Sequence, residues 1–140
     1  MPSQHWSARS LFARNETLWA SWFMQISDKK IWFAGDTGYN SIQFREIGKK
    51  INGVDLALIS IGGYLPRYFM SPYHVNPAEA VNIHHDLRAK MSIGMHWGTF
   101  PMTAEGPSDP VKELERQIKI RGVAQNTFKV MKAGETLKIK

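Results

Sequence analysis

The chain has 140 residues, of which 43% are hydrophobic, with no cysteine and a formal net charge of +6. This length supports one hydrophobic core, so a single domain over residues 1–140 is predicted. The lack of cysteine excludes disulfides and thiolate metal sites, and any metal must be held by histidine and carboxylate. The apolar runs are shorter than the roughly 18 residues that a membrane span requires, and the N-terminus lacks the apolar core of a signal peptide. These features predict a cytoplasmic protein.

The positive charge is spread thinly along the chain and is not gathered in one block. A basic chain can be attracted to nucleic acid or to anionic lipid. However, dispersed lysine and arginine favour a general role in solubility. We therefore expect no nucleic-acid partner, and we keep peripheral contact with a membrane surface as a possibility.

The first third of the chain predicts a hairpin that ends in an acidic turn. Residues Pro2–Arg9 have no periodicity and predict a loop that carries His5. The aromatic run Leu18–Gln25 and the apolar run Ile31–Ala34 predict two strands joined by a polar turn. Asp36 follows the second strand between two glycines, which places a carboxylate at the end of a strand, where α/β sheets gather their ligands.

The middle of the chain predicts a helix, a buried strand and a long loop. Apolar spacing predicts a helix over Ile42–Lys50, and the continuous apolar run Asp55–Ile61 predicts a parallel strand covered on both faces. A loop rich in aromatic residues follows and contains His74. Long loops in compact domains are often functional, so this loop is a candidate binding surface.

The last part of the chain predicts two further helices and three strands. Asn76 as N-cap and the proline after it predict a helix to about Leu87, and a short strand from Met91 to Met95 leads directly to His96. Asp109 as N-cap and Pro110 after it predict a helix that ends at Gly122, and two alternating runs, 127–131 and 135–139, predict a terminal hairpin. This element order predicts an α/β (α+β layered) fold with one sheet flanked by helices.

Histidine and aspartate offer one candidate metal site. Imidazole and carboxylate together suit Zn²⁺ and other divalent first-row metals. Asp36 and His96 follow strands, and His5 adjoins a tryptophan, so these three form the candidate set. His84 and His85 are adjacent on a predicted helix and cannot both face one metal, so we interpret each as a packed or surface residue and not as a ligand.

Several segments together resemble one enzyme family. The segments are PSQHWSAR, LWASWF, KIWFAGDTGYN, DLALISIGGYLPRYFM, YHVNPAEAVNIH and IGMHWGTF. In this order they resemble the C-terminal half of the N-acyl-phosphatidylethanolamine-hydrolysing phospholipase D family, which has the metallo-β-lactamase superfold. The resemblance implies an αββα sandwich of which this chain supplies one mixed sheet with its helices.

The resemblance also implies roles for individual residues. His5 resembles a histidine ligand of the first zinc, Asp36 the aspartate that bridges both zincs, and His96 a histidine ligand of the second zinc. Asp36 and His96 are thus the candidate catalytic residues, and His74 resembles a residue near the phospholipid. The family is zinc-dependent and hydrolyses the phosphodiester of N-acyl-phosphatidylethanolamine, releasing an N-acylethanolamine and leaving phosphatidic acid.

One part of the family pattern is missing from these 140 residues. No two histidines are separated by one residue, so the His-x-His-x-Asp-His motif of the N-terminal half is not found here. We expect a truncated enzyme that holds at most one ion and is inactive alone. The alternative is a non-catalytic remnant that binds lipid or protein or forms oligomers. The expected partners are an N-terminal half or a second copy of the chain, because an uncovered apolar sheet face needs a cover, and a phospholipid or membrane surface.

Overall fold

A computed structural model describes residues 2–4, 19–124 and 126–139. Among these residues, no helix is both long enough and apolar enough to cross a membrane. In chain order the elements are β1 (Pro2–Gln4), β2 (Trp19–Ala20), β3 (Trp22–Ile26), β4 (Lys29–Phe33), α1 (Ser41–Ile51), β5 (Val54–Ser60), α2 (Arg67–Met70), α3 (Pro77–Asp86), β6 (Ala89–Met95), α4 (Asp109–Ile120) and β7 (Phe128–Val130).

Five strands form one mixed sheet in the order β3-β4-β5-β6-β7. The hairpin β3-β4 is antiparallel, and each later pair is parallel. The parallel strands are neighbours in sequence order and α1, α3 and α4 connect them, so right-handed crossovers put these helices on one face. The predicted mixed sheet flanked by helices is therefore confirmed. β1 and β2 form a separate antiparallel pair.

The main core lies between the sheet and the helices. Trp32, Ala57 and Ser92 are aligned across β4, β5 and β6 and are all fully buried. Trp32 packs edge-on against Phe44 of α1, with ring centroids 5.9 Å apart. Apolar residues repeat along α1 and α3 at helical spacing, and their buried faces close this core.

The other face of the sheet is apolar and carries none of these helices. Alternate residues of β3 point to this side, and Trp22, Met24 and Ile26 are 65%, 40% and 59% exposed. Their neighbours in register on β4, Ile31 and Phe33, are partly exposed. We call these five residues the open face. It agrees with the expectation of an uncovered apolar sheet face among the described residues.

Four predictions about elements were wrong. Pro2–Gln4 is a strand and not a loop, because it pairs with β2. The predicted loop contains a short helix, Arg67–Met70, and α4 includes Asp109 and has Ser108 as its N-cap. The terminal hairpin is absent from the described residues, since β7 pairs in parallel with β6 and residues 135–139 form no strand. Two of these errors concern strands whose pairing partners are distant in sequence, and a third concerns a helix of a single turn.

Candidate metal centre

Asp36 reaches the edge of the sheet through a turn that β5 holds in place. The N–H of Ala34 donates to the carbonyl of Leu58 at 2.9 Å, and the Ser60 hydroxyl donates to the carbonyl of Gly35 at 2.9 Å. Gly35 has φ +66°, a conformation that glycine adopts without a steric cost. The Asp36 carboxylate is thereby presented beyond the carboxyl end of β4, with its side chain 44% exposed.

His96 occupies the matching position after β6. The N–H of Ile61 donates to the carbonyl of Met95 at 3.0 Å, so the pairing of β5 and β6 continues up to the histidine. His96 itself has φ +60°, which is unusual for a residue with a side chain. The backbone of Gly62 packs closely against the His96 carbonyl oxygen, and a Cβ on Gly62 would overlap this oxygen. The backbone around His96 therefore tolerates only glycine at position 62.

His74 comes from the loop between α2 and α3 and joins the same cluster. Its N–H donates to the carbonyl of Met70 at 2.8 Å, and its carbonyl accepts from Nη1 of Arg67 at 2.7 Å. Arg67 also pairs with Glu79 at 2.9 Å, and Glu79 belongs to the capping box of α3. The short helix α2 and the start of α3 thus fix the loop that carries His74.

The protonation of His74 depends on its half-buried environment. Burial lowers the pKa of the His74 imidazole, and the nearby Asp36 carboxylate opposes this shift only in part. Its Nδ1 is buried and has no hydrogen-bond partner among the residues that the structure describes. A neutral imidazole with a free ring nitrogen can bind a metal or a substrate oxygen.

The three side chains lie close enough together to hold one cation. One ligand atom from each of Asp36, His74 and His96 lies within 4.8 Å of the others. Oδ1 of Asp36 and Nε2 of His96 are 3.4 Å apart, and the His74 and His96 rings stack at 5.5 Å. Two donors on a tetrahedral ion with bonds of about 2.0–2.1 Å lie ~3.4 Å apart. The residues present therefore fit a divalent metal.

The cluster forms part of the wall of an apolar cleft of about 560 Å³. Met70, Trp97, Phe100 and Met102 also line this cleft. Phe100 and Met102 are 75% and 83% exposed, and two neighbours of Met70 on α2 are exposed as well, Tyr68 and Phe69. We call Tyr68, Phe69, Phe100 and Met102 the apolar rim. A site with a polar end and an apolar rim suits an amphiphilic ligand.

The family of this chain follows from comparison with known proteins. The beta-lactamase superfamily domain matches residues 1–97. The chain belongs to the beta-lactamase superfamily. It is 46% identical over 118 residues to N-acyl-phosphatidylethanolamine-hydrolyzing phospholipase D 1 of Caenorhabditis elegans, a match that covers 81% of this chain and 33% of that protein. The chain thus spans about a third of that relative, and the resemblance predicted from the motifs is confirmed.

Solved structures of the superfamily support the fold. Igni18, a metallo hydrolase from Ignicoccus hospitalis, is similar with a TM-score of 0.66 and 25% identity, over 97% of this chain and 49% of Igni18. The metallo-beta-lactamase fold protein YhfI of Bacillus subtilis is similar with a TM-score of 0.64 and 16% identity, over 96% of this chain and 46% of YhfI. The second likeness bears on the fold alone, which agrees with the predicted metallo-β-lactamase superfold.

The fold of this superfamily member brings together some of the predicted site residues. Asp36 and His96 are adjacent, and His74 lies beside them. The predicted role of His74 near the phospholipid stays a prediction. His5 lies outside the described residues, so its predicted role stays a prediction. His84 is buried, and its Nδ1 lies 2.8 Å from the Ser92 hydroxyl, as a packing residue requires.

Sequence reasoning missed one side chain of the site. Glu105 lines the cleft in the loop between β6 and α4, and its carboxylate accepts hydrogen bonds from the loop after β5. Its partners, Tyr64 and Leu65, lie 41 and 40 residues earlier in the chain. No local pattern around a single glutamate indicates such a contact.

Proposed function

We propose that this chain forms part of a zinc-dependent phosphodiesterase that acts on phospholipids of the N-acyl-phosphatidylethanolamine type. The observation that carries the proposal is the 3.4 Å separation of Asp36 Oδ1 and His96 Nε2, with His74 beside them. Asp36 and His96 are the proposed metal ligands. Zinc is proposed because mixed imidazole and carboxylate donors suit it and no thiolate is available.

His74 is proposed to contact the substrate. His74 lines the cleft beside Asp36 and His96, and a neutral imidazole carries one N–H that can donate a hydrogen bond to a phosphate oxygen. Burial favours the neutral ring because it lowers the pKa of His74. A bound zinc would act as a Lewis acid toward the phosphodiester and lower the pKa of a water molecule. In this arrangement, Asp36 and His96 orient the metal and His74 orients the phosphate.

The apolar rim supports a lipid as substrate. Phe100 and Met102 are largely exposed and line the cleft that ends at the cluster. Tyr68 and Phe69 are also exposed on α2, where they precede Met70 of the cleft wall. We propose that the acyl chains lie along the rim while the phosphate reaches Asp36 and His96, and that the rim contacts a membrane surface. The relative from Caenorhabditis elegans, which hydrolyses N-acyl-phosphatidylethanolamine according to its name, supports this substrate class.

The remaining metal donors are proposed to come from outside residues 1–140. Asp36, His96 and the predicted ligand His5 are fewer donors than a two-zinc centre needs. Residues 1–140 also contain no His-x-His-x-Asp-His motif. The open face, with Trp22 65% and Ile26 59% exposed, is the proposed docking surface for an N-terminal half or for a second copy. Residues 1–140 by themselves are then expected to bind metal weakly and to hydrolyse nothing.

A second function is favoured by the same two observations, the small donor set and the open face. In that case the chain is a non-catalytic module that binds lipid or protein. The two functions differ in one assay, the release of N-acylethanolamine from N-acyl-phosphatidylethanolamine vesicles after co-expression with a segment that contains the missing motif. Release supports the hydrolase, whereas no release from a stable complex supports the binding module.

Metal binding is tested on residues 1–140 without any activity assay. We expect zinc affinity, measured by competition with a chelator, to fall at least about tenfold in Asp36→Asn and in His96→Ala, because each removes one of few ligands. Asp28→Asn is the matched control, since Asp28 is exposed and pairs with Lys29. His74→Ala should keep most of the affinity. A loss equal to that in His96→Ala would make His74 a ligand, and equal affinity in all variants would reject the site.

A further inference from the structure

Glu105 joins the two loops that form the cleft. It lies in the loop between β6 and α4, and its carboxylate faces the loop after β5. Oε1 accepts the N–H groups of Gly63 at 2.5 Å and Tyr64 at 3.1 Å, and Oε2 accepts the N–H of Leu65 at 3.1 Å. Three consecutive backbone amides therefore converge on one side chain that is 40 or more residues away in sequence.

The charge of Glu105 matches this role. Burial alone raises the pKa of the Glu105 carboxyl, but hydrogen bonds from the Thr103 hydroxyl and from backbone amides, including those of Leu65 and Gly63, outweigh it and lower the pKa. The group is therefore a carboxylate at neutral pH, and hydrogen bonds to an ionised acceptor are stronger than neutral ones. Glu105 is half-buried, which limits competition from water.

The amide of Gly63 connects Glu105 to the histidines. Gly63 has φ +79°, and a Cβ built on it would lie 3.4 Å from His74 Nδ1 and 3.4 Å from His96 Cε1. The backbone at this position therefore packs directly against both imidazole rings. Any shift of the Gly63 backbone changes the space available to the stacked pair, whose centroids are 5.5 Å apart. A link between the loops, from the N–H of Ala104 to the carbonyl of Leu65, is longer at 3.5 Å.

We propose that Glu105 is a positioning residue that holds the Gly63–Leu65 backbone against His74 and His96 and so sets the relative placement of the two rings. The proposal concerns the rings themselves and stands whether or not the site hydrolyses phospholipids. Its consequence for catalysis, a fixed distance between the metal ligand His96 and the phosphate contact His74, rests on the function proposed above.

The substitution Glu105→Gln separates this role from simple side-chain size. Glutamine has nearly the same shape, but its single carbonyl oxygen accepts about two hydrogen bonds, whereas the carboxylate has room for about four. At least one of the three amides would lose its partner, and the others would lose the charged acceptor. Glu105→Asp keeps the charge but shortens the side chain by one methylene. Glu46→Gln is the matched control, because Glu46 is exposed and pairs only with Lys49 among the described residues.

The experiment measures amide hydrogen exchange and the NMR signals of the histidine ring protons, both without metal. In Glu105→Gln we expect exchange at Tyr64 and Leu65 to accelerate at least about tenfold, and the ring signals of His74 and His96 to shift. Glu105→Asp should give a smaller change of the same kind, and Glu46→Gln none. The ring of His84, which packs against β7, should stay at its wild-type position in all variants.

Two results would overturn the proposal. Unchanged exchange at both amides would mean that the carboxylate does not hold the loop. Faster exchange with unmoved ring signals of His74 and His96 would mean that Glu105 stabilises the loop without placing the rings. If Glu105→Gln does not fold, the same two measurements on Glu105→Asp test the proposal in its place. Because no metal or lipid is used, neither result bears on whether the assembled protein is a hydrolase.

Discussion

The buried histidine of α3 should make the stability of this chain depend on pH. His84 is 6% exposed, lies 2.8 Å from the Ser92 hydroxyl and stacks on Phe128 with centroids 5.6 Å apart. Burial lowers the pKa of His84 from 6.5 to about 4, and the neighbouring His85 adds to this shift. The folded protein therefore keeps His84 neutral at pH values where the unfolded chain has already bound a proton.

The sign and size of the effect follow from these two pKa values. Because the unfolded state binds more protons below pH 6.5, the free energy of unfolding falls as the pH falls through this range. One pKa unit corresponds to about 1.4 kcal/mol, so the full loss is about 3 kcal/mol below pH 4 and about 2.5 kcal/mol at pH 4.5. Above about pH 7.5, His84 contributes no pH dependence.

The perturbation that isolates His84 is His84→Gln, which keeps a polar group near Ser92 but cannot gain a proton. Denaturant unfolding at pH 7.5 and pH 4.5 should show that the wild type loses about 2.5 kcal/mol more than His84→Gln over this interval. His74 and the carboxylates are present in both proteins, so their contributions to the pH dependence of stability cancel in the comparison. His85→Gln, at the exposed neighbouring position, should keep most of the wild-type dependence. Equal pH dependence in the wild type and His84→Gln, within about 0.5 kcal/mol, would refute the reasoning.

Two further predictions concern packing around α1, and both use the free energy of unfolding in denaturant. Phe44→Ala should cost about 3–5 kcal/mol, because Phe44 is fully buried between the rings of Trp32 and Tyr39; a cost below about 1 kcal/mol would contradict this packing. Gly48→Ala should destabilise by about 1–3 kcal/mol although alanine is the better helix former, since its Cβ would overlap the Asp86 carbonyl oxygen. A gain in stability would show that α1 and α3 are not in this close contact. Lys50→Ala, at an exposed position of α1, should change stability by less than about 0.5 kcal/mol.

Much of the sheet and its helices could be predicted because the signals are local. Predicted and observed bounds of β5, 55–61 and 54–60, differ by one residue, since a continuous apolar run between turn residues defines a buried strand. Asn76 caps α3 as predicted, and its capping box with Glu79 depends on residues three apart. Asp36 and His96 were predicted at strand ends, and parallel pairing of β4, β5 and β6 brings those ends to one edge.

Other features depend on contacts that no short window of sequence contains. Residues 127–139 alternate as a hairpin would, but β7 instead pairs in parallel with β6, because β6 offers an edge next to it. Pro2–Gln4 becomes a strand only because β2 lies beside it. The short helix α2 is held by Arg67, whose partners Glu79 and His74 lie twelve and seven residues away.

The sequence by itself determined the order of elements from β3 to β7 apart from α2, the absence of thiolate ligands and two of the three clustered donors. These features depend on composition and on residues within one turn or one strand. Only the tertiary structure decided that His74 stacks on His96, that Glu105 holds the amides after Gly62 and that His84 contacts Ser92. These contacts join segments 8 to 42 residues apart. Their geometry follows from how the loops pack together once the sheet has formed, and loop packing leaves no periodic trace in the chain.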